Sequence, residues 1–429
     1  MDAAQFALVS SIFTLGGLLG ALASGPISTR YGRLLAMRIT SILYILGSTC
    51  ETLASDIPMM IIGRLLSGVG AGASLVVVPI YISEIAPPSE RGIFGVMTQI
   101  TINIGLLMTQ TLGYFYSKES SWRIILAAGT VIGLIQAIAL FFIPESPAWT
   151  AANKDPQKAL RVLQRIRGRR VDISEEIAAW DVVAPFTGAE SEGLLSDPEV
   201  VGRRDSGSSK SSKPSRHIGM LEVAFDPFYR PAIIAVVGVM FAQQFCGINS
   251  VMMYSVSLLS GLFPSTSALL TIMISLVNLF MTVICAPLAD KLGRKAAIII
   301  SITGMGFSSL ALAFAMVFGV QILSAIAIIM FVATFAVGLG PIPFILASEL
   351  VGTEARGAIQ SWALSASWIA TYLVAQFFPI VNTWLGGNGY VFFIFAGLAL
   401  LSAIFIKLRV PETMGKKDAD EVWGRVRRD

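Results

Sequence analysis

The chain has 429 residues, of which 55% are hydrophobic and 14% charged, with a mean hydropathy of +0.74. A soluble protein carries roughly 25% charged residues, so this composition excludes an ordinary soluble domain. The net charge of +4 does not imply a nucleic-acid partner, because the basic residues sort by membrane side instead of forming a patch.

A bilayer crossing needs about 20 mostly apolar residues. Eleven such runs occur: 5–27, 36–55, 58–82, 93–115, 123–143, 231–257, 266–288, 296–317, 322–348, 358–384 and 389–406. In lipid each must be helical, because an unpaired backbone amide there costs several kcal/mol. The predicted fold is therefore all-α and polytopic. Its parts are a bundle of five helices over 1–143, a cytoplasmic linker over 144–230, a bundle of six helices over 231–408 and a cytoplasmic tail over 409–429.

The linker has two characters. Residues 154–180 combine helical spacing with dense charge, which predicts short amphipathic helices on the cytoplasmic face. Residues 187–216 are rich in Ser, Gly, Glu and Arg and bury too little apolar surface to fold, which predicts disorder. Within them Glu190, Leu194 and Leu195 fit an acidic dileucine sorting signal, which would bring an adaptor partner and an endosomal or vacuolar address.

Two short stretches are near-copies: GPISTRYGRL at 25–34 and APLADKLGRK at 286–295. Thr29, Arg30, Gly32 and Arg33 stand where Asp290, Lys291, Gly293 and Arg294 stand in the second copy. A separation of about 260 residues is far beyond solenoid periods, so the repeat marks two homologous halves. After the linker two apolar runs precede the second copy, while only 5–27 precedes the first. The chain therefore reads as a duplicated membrane protein lacking its first helix, with 11 spans where two equal halves of six would give 12.

Topology follows from charge. With the linker placed in the cytoplasm, only Lys118, Arg123 and the intramembrane Arg64 depart from the cytoplasmic side among 31 Lys and Arg. Cys50, Cys246 and Cys285 all lie inside apolar runs, so neither a disulfide framework nor a metal site is expected, and no cofactor is implied.

Polar side chains inside spans are costly and therefore informative. Gln99, Asn103 and Gln110 share one face of their helix. Thr271, Ser275, Asn278 and Thr282 share a face of another, and Ser361, Ser365, Trp368, Tyr372 and Gln376 form a polar–aromatic stripe on a third. Amides and hydroxyls suit the hydroxyls of a sugar, and an aromatic ring suits its C–H face. The stripes carry no charge, so the expected substrate is neutral. Interhelical hydrogen bonding is the rival reading of any one stripe. On a straight helix Gln243, Gln244 and Asn249 point in different directions; they meet only if the helix is irregular, which Gly247 permits.

Six motifs stand in order along the chain: GRLLSGVGAG at 63–72, PIYISEIAPPSERG at 79–92, PESPAW at 144–149, QQFCGINSVMMYS at 243–255, GPIPF at 340–344 and PETMG at 411–415. Together they resemble those of the sugar porters of the major facilitator superfamily. The resemblance implies two six-helix bundles around a central site and places Gln99, Gln243, Gln244, Asn249, Asn278 and Trp368 at sugar-binding positions. It also implies a cytoplasmic latch of charges: Arg30, Arg33, Glu84, Arg91 and Glu145 in the first half, and Asp290, Lys291, Arg294, Glu349, Arg356 and Glu412 in the second. Thr29 replaces the family's aspartate, so the first latch is expected to be the weaker. Ala336, Phe344 and Ser367 also depart from the hexose-carrier pattern, which puts glucose itself in doubt and leaves a polyol plausible.

The resulting expectation is an alternating-access carrier for a neutral monosaccharide, a hexose first among the candidates, doing no covalent chemistry as an enzyme would. Proton symport and facilitated diffusion both stay open. A nutrient sensor and a polyol transporter are the alternatives. A channel is disfavoured, since no charged ring or filter loop appears. Two further residues draw a reading. His217, in the linker, is assigned no role. Arg64 has no acid obviously placed to meet it: Glu51 is the one candidate, and its expected place is near the outer surface before Asp56.

Overall fold

The computed structural model describes residues 3–87, 90–117, 121–153, 155–168, 173, 176–177, 219–252, 267–352, 355–387, 389–416 and 419–424. Among these residues all regular elements are helices, and eleven spans are long and apolar enough to cross a membrane. They match the eleven runs read from the sequence. The chain divides into a membrane unit (Met1–Ile143 with Ile218–Asp429) and a second unit (Pro144–His217).

The first half of the membrane unit is built from α1 (Ala3–Tyr31), α2 (Arg33–Leu53), α3 (Ile57–Ile85), α4 (Arg91–Tyr116) and α5 (Trp122–Ala139). Gly32, at φ 106°, separates α1 from α2. Asp56 starts α3 by accepting from the Met59 amide at 3.0 Å, which satisfies one of the orphan donors of the first turn. The GRLLSGVGAG motif lies on α3 and serves two neighbours. A methyl at Gly68 or Gly72 would run into the carbonyl oxygens of Phe13 and Gly17 on α1, and one at Gly63 or Gly70 would meet Glu51 and Thr40 on α2. Small residues are what allow backbones to approach this closely where no hydrophobic force drives helices together.

In the second unit α6 (Pro147–Asn153) and α7 (Pro156–Arg167) are short. Asp155 caps α7 through the amides of Gln157 and Lys158, while Ala159 and Leu163 are buried on its apolar side. This is the amphipathic form expected of the charged part of the linker. The segment 187–216, with Leu194, Leu195 and also His217, lies outside the described residues.

The second half comprises α8 (Met220–Phe225), α9 (Arg230–Phe245), α10 (Ser267–Leu292), α11 (Arg294–Val317), α12 (Gln321–Val337), α13 (Ile342–Glu349), α14 (Arg356–Trp384) and α15 (Val391–Arg409), followed by α16 (Ala419–Val422) in the tail. Gly293, at φ 93°, separates α10 from α11 just as Gly32 separates α1 from α2. The run 231–257 is a broken helix: α9 ends at Phe245, Gly247 has φ 95°, and helical backbone resumes at Ile248. The run 322–348, expected as one helix, is also broken. Gly338, at φ −149°, ends α12, and Pro341 opens α13, because proline cannot donate to a continuing helix.

Candidate substrate site

Both breaks meet at one place. Between α12 and α13 the backbone carbonyls lose their helical partners. Gln243 Nε2 donates to the carbonyl oxygens of Leu339 at 2.7 Å and Gly340 at 3.3 Å. The Leu339 amide is satisfied by Ser301 Oγ at 3.0 Å. In hydrocarbon such freed groups need an internal partner.

Gln244 Nε2 donates to Gln243 Oε1 at 3.1 Å and to Ser367 Oγ at 3.0 Å. Asn249 Nδ2 donates to Gln244 Oε1 at 2.5 Å and to Thr371 Oγ1 at 3.1 Å. The turn at Gly247 is what brings Asn249 back to the side of Gln244. The three residues therefore form one chain of amides that ties α9 to α14. Sequence reasoning missed Thr371 and the Leu339 and Gly340 carbonyls, and it counted Ser367 only as a departure from the hexose-carrier pattern. The available signal was the Gly-Leu-Gly-Pro run at 338–341, which cannot stay helical and so must expose carbonyls.

Gln99 and Asn278 belong to a different cluster. Gln99 Nε2 and Asn278 Nδ2 both donate to Asn103 Oδ1, at 3.1 and 3.2 Å. Asn103 Nδ2 donates to Thr282 Oγ1 at 2.8 Å. Higher on the same pair of helices, Ser275 Oγ donates to Gln110 Oε1. The polar faces of α4 and α10 thus meet along a seam joining the two halves of the chain. Asn103 and Asn278 are 1% and 2% exposed, so these amide donors find their acceptors away from the surface.

Trp368 lies on α14 with its ring against the backbone of Gly17 and edge-on to Phe13, centroids 6.0 Å apart. Trp368 Nε1 and Asn278 Oδ1 are buried without a hydrogen-bond partner, as are the hydroxyls of Ser361 and Ser365 on α14. An unsatisfied buried polar atom costs about 1–3 kcal/mol, so such atoms mark places where a ligand or water gains by binding. Tyr372, further along the same stripe, is 41% exposed and does not share this environment.

The charges repeat by halves. Arg33, first residue of α2, pairs with Glu84 on α3 through Nη2–Oε1 at 2.7 Å and Nε–Oε2 at 2.9 Å. Arg294, first residue of α11, pairs with Glu349 on α13 at 3.1 Å. Each pair stays inside its own half, and the first is the shorter and more buried. Glu349 also accepts from Thr413 Oγ1 at 2.5 Å, and Glu412 caps α11 through the amides of Arg294 at 2.8 Å and Lys295 at 3.1 Å. Glu145, in the second unit, accepts from the Ser146 amide at 2.9 Å. Arg30 lies over the ring of Tyr31 at 5.4 Å. Arg356 begins α14. The side chains of Arg91 and Asp290 lie outside the described residues.

Glu51 requires a correction. It is not a surface acid at the end of its span. It is 4% exposed, accepts a hydrogen bond from Ser67 Oγ and lies with Oε2 3.4 Å from Arg64 Nε. Arg64 therefore does meet an acid, on the neighbouring helix. The physical reason is the spacing of small residues: Gly47, Gly63 and Ser67 bring α2 and α3 close enough for Glu51 to reach inward.

Repeated bundles of apolar helices, with two broken helices meeting at neutral amides, define a multi-pass membrane carrier rather than an enzyme. The chain belongs to the sugar (and other) transporter family, whose model matches residues 2–422. It is 33% identical to a probable metabolite transport protein of Saccharomyces cerevisiae over 98% of this chain and 82% of that one. It is 30% identical to the facilitated glucose transporter member 3 of Rattus norvegicus, over 97% and 81% of the two chains. The fold is that of the major facilitator superfamily. The proton:xylose symporter XylE bound to 6-bromo-6-deoxy-D-glucose superimposes with a TM-score of 0.80, at 24% identity, over 99% of this chain and 90% of that one.

Proposed function

We propose that this chain carries a neutral monosaccharide, a hexose first among the candidates, across the membrane by alternating access. The observation that carries the reading is the amide chain Gln243–Gln244–Asn249, bonded to Ser367 and Thr371 on a second helix, with no charged side chain among its partners in the described residues. Carboxamides and hydroxyls present donors and acceptors in the mixture a ring of hydroxyls requires. Trp368 offers an aromatic face and a free indole N–H. Gln99 and Asn278 complete the site from the seam between the halves, where Asn278 Oδ1 has a free acceptor.

The charge pairs Arg33–Glu84 and Arg294–Glu349 act, in this reading, as staples that keep the cytoplasmic ends of each half rigid while the halves rock. Rigid bundles are what convert a local rearrangement at the site into a change of access. Arg30, Arg91, Glu145, Asp290 and Arg356 belong to the same proposed set.

The test is uptake into proteoliposomes of a labelled panel of hexoses, pentoses and polyols, with and without an imposed pH gradient. Saturable uptake of one sugar, competed by its close relatives, is expected. Accumulation driven by the gradient separates proton symport from facilitated diffusion. Uptake of no panel member above protein-free vesicles would overturn the reading.

A further inference from the structure

A cavity lies at the start of α9, away from the amide chain. It has a volume of about 500 Å³ and opens between the first turn of α9, the last turn of α15 and the tail. Arg230, the first residue of α9, and Arg409, the last of α15, both line it. Ile234 and Leu408 line it too, and are 40% and 75% exposed. Trp423 closes one side, held by its indole N–H to the Leu350 carbonyl at 3.0 Å.

Three observations bear on what fills it. The cations stand at the ends of two membrane spans, where headgroups are met, and Ile234 and Leu408 give the cavity an exposed apolar wall beside them. Among the described residues no carboxylate or carbonyl engages either guanidinium, and Asp226, the acid nearest Arg230 in sequence, accepts from the Phe228 amide at 2.9 Å. Leu221, Phe225 and Phe228, on and after α8, are exposed, and Pro227 between the last two lines the cavity, so apolar side chains stand near its mouth. Trp423 supplies the amphipathic ring typical of the interface.

We propose that this cavity is a binding site for an anionic phospholipid of the cytoplasmic leaflet, with Arg230 and Arg409 holding the phosphate and Ile234 and Leu408 lying along the first acyl carbons. Guanidinium groups suit a phosphate because their planar forks match its oxygens. A free anion would leave the apolar wall wet, and a neutral lipid would leave two cations without a net counter-charge. Because Trp423 joins the tail to the end of α13, an occupied cavity clamps the tail against the second half.

The experiment uses the full chain, purified and exchanged into bilayer discs of phosphatidylcholine with or without phosphatidylserine, with retained lipid counted by native mass spectrometry. Preferential retention of one phosphatidylserine is expected. The double variant Arg230→Gln with Arg409→Gln should weaken that retention about thirty-fold, since each basic group near an anionic surface contributes about 1 kcal/mol. Lys158→Gln with Arg161→Gln, which removes two cytoplasmic cations elsewhere, should leave it intact. If the double variant does not fold, Arg409→Gln alone is read in the same assay, with a fall of about five-fold expected. Equal retention by the cavity variant, no preference of the native chain for phosphatidylserine, or equal retention of inorganic phosphate counted by the same mass spectrometry in lipid-free detergent would each overturn the proposal.

Discussion

Arg33 grips Glu84 with both edges of its guanidinium, at 2.9 and 2.7 Å, and both side chains are under a tenth exposed. A fork-to-fork pair in such a place is set by geometry as much as by charge. Removing one partner strands the other. Arg33→Gln should lower stability by about 3–5 kcal/mol, and Arg33→Gln with Glu84→Gln by distinctly less, because the double change leaves no buried charge alone. Thermal unfolding of the two variants in detergent checks this; equal losses would show that the pair is not what holds α2 to α3.

The pair Glu51–Arg64 should couple more weakly. Its separation is 3.4 Å, against 2.7 Å at Arg33–Glu84, and Glu51 shares its carboxylate with Ser67, so the pair is the looser one. A double-mutant cycle of Glu51→Gln and Arg64→Gln is expected to give a smaller interaction energy than the same cycle at 33 and 84. A larger one would mean that the membrane setting of Arg64 outweighs the longer separation.

In the site, Gln244→Ala removes the amide that links Gln243 and Asn249 to Ser367. A hydrogen bond there contributes about 1–1.5 kcal/mol, so sugar affinity should fall about tenfold with folding intact. Asn249→Ala and Asn278→Ala are expected to act in the same direction. Unchanged affinity in all three, measured by sugar binding to the purified protein, would move the site elsewhere.

Glycine spacing gives a contrast within one protein. Gly72→Ala drives a methyl into the Gly17 carbonyl, where backbone must move, and should cost about 1–3 kcal/mol. Gly105→Ala, on α4, meets nothing within 4 Å and should gain up to about 1 kcal/mol from helix propensity. Melting temperatures of the two variants should move in opposite directions.

The amide site was legible only in part. Gly247 announced a break, and the break puts Gln244 and Asn249 together as expected. The second break, at 338–341, passed as continuous apolar helix, because hydropathy does not register where a backbone loses its ladder. Gln243 was therefore read only as a position for sugar binding, whereas its amide donates to two freed carbonyls. Glu51 was read as a surface acid for a related reason: its distance along the chain from the outer loop is short, but its direction is inward.

By itself the sequence determined the eleven spans, the repeat that pairs Gly32–Arg33 with Gly293–Arg294 and the neutrality of the polar stripes. These follow from local physics: a bilayer forces each apolar run to satisfy its own backbone, and a charge at membrane depth is costly whatever the packing. Only the tertiary structure decided that Asn103 stands between Gln99 and Asn278, that Glu51 meets Arg64, and that Gln244 reaches Ser367. Those pairings depend on the rotation and height of each helix against the next. Contacts between residues far apart in the chain set both, above all where glycines let one backbone rest on another.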